Sequence, residues 1–493
     1  MKKSFKCIVI FLVSMMLLSM VSCGESATEN ATTAVTDAIG EIETKDPNYS
    51  CDLPGNLNYG DEEVNILCVN VNGRQDEFLS ERLGGGVIGD AVYERNLAVE
   101  TQLKIDMNFV VQSSDEEADA TIRNSVQGGD GSLDIFVITT WRAFPTALTG
   151  CYLNLNNVDN LNLSKHYWSQ SYNEIATFTE SDRQYIATSP AALTLFRLAY
   201  LTVFNRDLCE DWKIPNIYDT VENGQWTLDY QYSLIADVWV DNDGDGKQSV
   251  DDIYGLITDT GVSMDAYCVA ADIHMIRRDE NGYWMYDKSV QEKLTDLTEK
   301  VSMICQAQGT YTQVAMGWGL NDIITIFGNQ KAIMATTQFY SIEANISALA
   351  DFNFGIAPMP KLTEAQPEYH TYVQDQLSSF GISAAVGNED RRAMLGAVLE
   401  SLAYHSYEII RPAYYETALS LRFMQDPQSR DILDTMFDTI DFDYASTALG
   451  EVRGAMRELL PQGRGVSSRL KRLESVINKR LEADNEAAGK LED

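Results

Sequence analysis

The chain has 493 residues, enough for two or three domains, and a hydrophobic fraction of 45% that is ordinary for a globular protein. Its 73 acidic against 37 basic residues give a net charge of −36, which excludes a nucleic-acid-binding surface and electrostatic adsorption to anionic lipid. Histidines stand only at 166, 274, 370 and 405, with no His-x-x-x-His pair, which argues against a histidine-rich zinc site.

Lys2, Lys3 and Lys6 precede an apolar run from Cys7 to Val21. A basic start and a short apolar stretch predict an export signal rather than a membrane span. Met20-Val21-Ser22-Cys23-Gly24 resembles a bacterial lipobox, in which the cysteine is lipidated and becomes the new N-terminus. An ordinary signal peptide cleaved near Ser22 is the alternative. Residues 24–55 are rich in Ser, Thr, Ala and acids and poor in large apolar groups, so they predict a flexible tether. The remaining cysteines, Cys51, Cys68, Cys151, Cys209, Cys268 and Cys305, form no Cys-x-x-Cys motif, and their pairing is not readable from sequence.

Glu63–Val69 reads as a first strand, Ala91–Glu100 as a helix, Leu103–Val110 as a second strand and Leu133–Ile138 as a third. Alternating strand and helix is the rhythm of a parallel α/β sheet, whose ligands collect beyond the carboxyl ends of the strands. Thr139, Thr140, Trp141 and Arg142 stand at that place. Further on, Tyr200–Leu208 is an apolar strand ending in a polar turn, and Thr227 is an N-cap candidate for the helix after it.

Asp241-Asn242-Asp243-Gly244-Asp245-Gly246-Lys247-Gln248-Ser249-Val250-Asp251-Asp252 has the pattern of a calcium loop. Asp241, Asp243 and Asp245 supply oxygens at positions 1, 3 and 5, the Lys247 carbonyl position 7, Ser249 position 9 and Asp252 position 12. An EF-hand has glutamate at the last position, so the shorter Asp252 weakens bidentate contact. The alternative is an acidic solvated turn. Trp239, just before it, reads as its packing base. No second acidic loop and no internal repeat occur. Phe327–Met334 runs from a helix end into a strand, Phe354–Lys361 is a strand entering a proline-stiffened loop, and Phe380–Ser383 is a short strand. From Glu389 onward the pattern is helical, with Leu470, Leu473, Ile477 and Leu481 on one face.

Taken in order, Cys23, Phe204–Leu208, Phe327–Ala332 and Phe354–Pro360 resemble the extracellular solute-binding proteins of ABC importers, in the large group that contains maltose-binding protein. Gly224–Asp229, the acidic loop with Tyr254-Gly255, and Pro412–Glu416 are similar to a Gram-positive lipoprotein branch of it. The resemblance spans about 60 to 450. It implies an α/β, two-lobed, periplasmic-binding-protein-like (type II) fold with a hinge, an inter-lobe cleft and a helical C-terminal region. The expected organisation is signal peptide 1–22, tether 23–55, lobe one 56–199 and lobe two 200–335. Lobe one resumes over 336–392, and a helical part, 393–493, packs mainly on lobe two. Lobe crossings are expected near Ala199–Val203, near 335–340 and after about 390. The resemblance also implies a monomeric, lipid-anchored body on the outer face of the cytoplasmic membrane. Such a body captures a carbohydrate and delivers it to permease subunits, with no chemical step and no nucleic acid. Closure around the ligand is a shift between open and closed populations.

Sugar recognition needs a flat aromatic face and planar polar groups for adjacent hydroxyls. Trp141 and Arg142 offer both; the alternative is a tryptophan packed under a loop and an arginine in a salt bridge. Gln338 and Tyr340 follow a strand at a lobe crossing, where the alternative is a hinge or core aromatic. Thr194 and Arg197 precede the first crossing, Trp318 sits in a loop, and Tyr414 stands on a C-terminal helix where packing is the alternative. Trp226 reads as structural. Three other readings compete: a non-sugar solute such as a peptide, a calcium-dependent adhesion module, and a glycoside-acting enzyme. The acidic loop resembles one half of a dockerin, but dockerins pair two. No motif singles out facing carboxylates, and no Gly-x-Ser-x-Gly or phosphate-binding glycine loop occurs.

Overall fold

The computed structural model describes residues 51–71, 74, 76–80, 83–178, 183–313, 322–346, 351–420 and 427–491. The signal sequence, Cys23, most of the tether and Trp318 lie outside the described residues. Among the described residues, no helix is long and apolar enough to cross a membrane.

Strand β1 (Glu62–Val69) is buried from Ile66 to Val69, as a strand covered on both faces must be. Helix α1 (Gly86–Leu103) ends at Lys104, whose left-handed backbone (φ 56°) turns the chain directly into β2 (Ile105–Gln112), on which the helix packs. Helix α2 (Asp115–Gly128) starts at Ser114, whose hydroxyl accepts the Glu117 N–H, and three acids fill its first turn against the positive helix end. Strand β3 (Ile135–Thr139) is wholly buried and runs straight into helix α3 (Thr140–Ala147).

β1 pairs in parallel with both β2 and β3. The second sheet is built from β4 (Tyr200–Asn205), β5 (Trp239–Val240), β6 (Ile253–Ile257), β7 (Thr310–Tyr311), β8 (Ala332–Gln338) and β9 (Phe354–Ala357). Its order is β7-β6-β8-β4-β9, with β5 added to β6. β8 is parallel to β6 and antiparallel to β4, and β9 is antiparallel to β4. Strand β10 (Ser378–Ile382) returns to the first sheet beside β3, giving the order β10-β3-β1-β2.

The turn expected after β4 is a helix start. Asn205 accepts the Leu208 N–H and caps the short helix Arg206–Asp211. Two boundaries also move. The sequence reading assigns 336–392 to lobe one, but β9 stays in the second sheet because its backbone pairs with β4. The chain therefore returns to the first sheet at 371–377 rather than near 335–340. There Val373 bridges Ala199, the Gln374 N–H donates to Leu198, and the Phe339 N–H donates to Ala199. All three crossings thus lie side by side. The C-terminal helices divide between lobes. α5 (Glu389–His405) and α6 (Arg411–Ser420) pack on α1, because their apolar faces cover the first sheet's helices. α7 (Pro427–Asp438) packs on β9, and the last helix, Val466–Lys490, covers the hairpin strand Trp284–Tyr286 and the helix Gln291–Gln306. Leu470, Ile477 and Leu481 are buried in that last contact, as the shared face predicts. The six described cysteines are free thiols.

Candidate functional site

The strand ends bring two groups of predicted residues to the crossings. In the first, Trp141 opens α3, and its backbone N–H donates to the Asp375 carbonyl at 3.1 Å. Gln338, at the end of β8, donates from Nε2 to the side-chain oxygen of the adjacent Gln374. Trp141 and Gln338, from different sheets, are thus held by consecutive residues of one crossing segment. Trp141 and Arg142 are both half-buried. The Arg142 guanidinium lies over the Trp141 ring, 4.0 Å from its centroid, and pairs with Glu116.

The second group surrounds Glu343, on the turn after β8. Arg197 donates to it at 2.9 Å from Nη2, and the Tyr414 hydroxyl at 3.0 Å. Burial opposes the charge on Arg197, but the Glu343 carboxylate outweighs it and holds the guanidinium protonated. Tyr340 is half-buried beneath Arg197, whose guanidinium carbon stands 6.0 Å from the ring centroid. Tyr414 is 1% exposed and stacks on Phe196, with centroids 5.2 Å apart. Thr194 is fully buried. Its hydroxyl donates to Glu77 at 2.7 Å and accepts the Ser378 N–H at 3.0 Å, so it ties lobe-one segments together at the crossing. Burial pushes the Glu77 carboxyl up despite those bonds.

Sequence reasoning missed four charged residues beside the first group. Helix α4 of the second lobe (Val262–Ala270) carries Asp265, and helix α8 (Gly450–Leu459), packed on it, carries Arg453 and Arg457. Arg457 Nε lies 3.1 and 3.2 Å from the two Asp265 oxygens, and Arg453 Nη1 pairs with Asp375. Burial raises the Asp265 carboxyl to about 7 against the pull of Arg457, and raises Asp375 too. Their only sequence signal is two arginines four apart on a helix whose other face is apolar, which is common on surface helices. Two grooves, of about 290 and 340 Å³, lie elsewhere. One is lined by Tyr369 and Asp431, the other by Trp284 and Glu482. Neither includes a residue of these groups, whereas the groups stand where open α/β sheets hold ligands.

The acidic loop closes on itself. Asp241 accepts the Gly244 and Gly246 N–H groups at 2.7 and 2.8 Å, and both glycines adopt positive φ. Asp252 is fully buried and accepts from Asn242, Ser249 and Trp239 Nε1. Carboxylate oxygens of Asp241, Asp243 and Asp252 lie within 4.8 Å of one another. Asp245 turns instead to the Lys247 N–H, and the Ser249 hydroxyl takes the Asp251 N–H.

The fold is the two-lobed one found in solved ABC substrate-binding proteins. Solved structures similar to this chain include an ABC substrate-binding protein of Listeria monocytogenes in complex with cycloalternan. It is 13% identical and has a TM-score of 0.51 over 86% of this chain and 99% of its own. The GacH receptor of Streptomyces glaucescens, studied with acarbose, is 13% identical at TM-score 0.54, covering 86% and 99%. The maltose/maltodextrin-binding domain MalE of Bdellovibrio bacteriovorus, bound to maltotriose, is 12% identical at TM-score 0.50, covering 85% and 100%. What these proteins share with the chain is the fold. No family model and no curated protein matches the sequence.

Proposed function

We propose that this chain is a lipid-anchored extracellular solute-binding protein. It captures a carbohydrate, an oligosaccharide, between its lobes and delivers it to an ABC permease without chemical turnover. The observation that supports the reading is that Trp141 and Gln338, at the ends of strands in different sheets, are held by consecutive residues, Asp375 and Gln374, of one crossing segment. Proteins of the same fold carry cycloalternan, acarbose and maltotriose in their structures, which supports sugar over other solutes. Cys23, lipidated after removal of residues 1–22, anchors the body through the tether, and the body acts as a monomer.

In the same reading the loop Asp241–Asp252 holds a structural Ca2+. The clustered oxygens of Asp241, Asp243 and Asp252 suit a hard, oxygen-ligated cation. The position of the loop, beside β5 and β6 and away from the crossings, suits a clamp rather than a ligand contact.

The test is a thermal-shift screen against mono- and oligosaccharides. A ligand that binds only the native state raises its melting temperature. At least one saccharide is expected to do so and to be recovered unaltered. Shifts from peptides with none from sugars would replace the ligand class, and sugar turnover would replace binding by catalysis.

A further inference from the structure

Arg453 and Arg457 stand one helical turn apart on α8, whose Val452, Ala455, Met456 and Leu459 are buried. Their aspartate partners are almost sealed: the side chains of Asp375 and Asp265 are 7% and 1% exposed, while those of Arg453 and Arg457 keep 18% and 29%. The acids lie behind and the planar donors lie in front. Arg453 Nη1 also donates to the Ser446 carbonyl at 3.0 Å, so that nitrogen is held by two acceptors. The place is the ligand end of the crossing segment, since Asp375 is the residue that receives the Trp141 N–H.

A second observation points to a missing partner there. Tyr372 is 1% exposed, and its hydroxyl has no hydrogen-bond partner among the described residues. The phenol oxygen sits in the field of Asp265, Asp375, Arg453 and Arg457. A buried hydroxyl left unpaired is unfavourable, so such groups are normally met by water or ligand.

We propose that Arg453, Arg457 and the Tyr372 hydroxyl are solute contacts, and that the charge-balanced set they form with Asp265 and Asp375 selects an uncharged, multiply hydroxylated ligand. This rests on the reading of the crossings as a carbohydrate cleft. The physical reason is that both guanidinium groups are already paired. Arg453 and Arg457 each hold a buried aspartate, so an added uronate or phosphate would be a desolvated anion with no free cation to meet it. Neutral hydroxyls, by contrast, match the paired N–H donors of a guanidinium whose position is already fixed.

The experiment titrates the full chain calorimetrically with neutral tri- and tetrasaccharides of gluco, xylo, manno and galacto type, and with trigalacturonate. It compares wild type, Tyr372→Phe and the charge-neutral double variant Arg457→Gln/Asp265→Asn. Wild type is expected to bind a neutral saccharide and to reject trigalacturonate. Tyr372→Phe removes only a hydroxyl with no protein partner. It is expected to keep the unliganded melting temperature and to lose roughly tenfold in affinity, the worth of one hydrogen bond. The double variant is expected to lose roughly a hundredfold. Variants that bind the neutral saccharide as wild type does would overturn the contacts and leave the carbohydrate reading standing. Preference of wild type for trigalacturonate would overturn the charge selection alone. Binding of no saccharide by wild type would overturn the carbohydrate reading and, with it, this inference.

Discussion

The Trp141 N–H donates to the Asp375 carbonyl at 3.1 Å, joining the end of β3 to the segment that crosses between the sheets. The backbone of Trp141 is thus anchored at the crossings while its side chain remains half-buried, covered on one face by Arg142. Trp141→Ala keeps that backbone bond. It is expected to abolish the saccharide-induced rise in melting temperature and to change unliganded stability by less than about 2 kcal/mol. A collapse of the unliganded melting temperature would mark Trp141 as core instead.

The acidic loop predicts a different separation. Asp252 satisfies the Trp239 indole and the Asn242 and Ser249 N–H groups, so Asp252→Ala leaves three donors without their acceptor. A loss of about 2–3 kcal/mol is expected. Chelation of calcium should lower the melting temperature of wild type and leave that of the variant unmoved, with saccharide affinity of the folded protein unchanged. Competition between calcium and saccharide would refute the clamp.

pH stability should carry the mark of His274. Its Nε2 lies 3.0 Å from Asp441 Oδ2, and His370 Nδ1 lies 2.9 Å from the same oxygen. Burial disfavours the imidazolium, but the Asp441 bond and charge, with Asp443 and Asp272 behind them, push His274 up to about 9. A folded value above the ordinary 6.5 means the charged form stabilises the fold. That stabilisation is fully present below pH 6.5 and is lost as pH rises through about 9. Melting temperature is therefore expected to fall between pH 6.5 and 9.5, and to fall less in His274→Gln. An identical slope in the two proteins would contradict this.

Gly309 is a packing test of the second lobe. A Cβ there would stand 1.8 Å from the Ile235 carbonyl oxygen and 2.9 Å from the Val238 nitrogen. Both neighbours are backbone and cannot rotate away. Gly309→Ala is expected to cost at least about 2 kcal/mol, read as a lower denaturant midpoint. An unchanged midpoint would show that the helix end at Ile235 yields.

Much of the fold was legible in the residues. Apolar runs such as Leu133–Ile138 have the length and β-branching of covered strands, and Thr227 stands where a side-chain oxygen must meet free helix N–H groups. The crossing was less legible, because Phe354–Ala357 pairs with a strand about 150 residues earlier in the chain, and such pairing leaves no local trace. The candidate site was legible in part. Trp141 and Gln338 follow strands that periodicity locates. Asp265, Asp375, Arg453 and Arg457 lie in stretches that each read as ordinary polar helix or loop.

By itself, the sequence determined what depends on neighbours in the chain: the α/β rhythm, the acidic loop with its glycines, and the basic-then-apolar run that precedes Cys23. Local sterics and hydrophobic period fix such features within a few residues. Only the tertiary structure decided which lobe receives Phe354–Ala357, that Thr194 is sealed against Glu77, and that α8 brings two arginines to the aspartates beside Trp141. Those outcomes depend on pairings across roughly eighty to two hundred residues, where backbone hydrogen bonding and burial of charge select partners that no local pattern names.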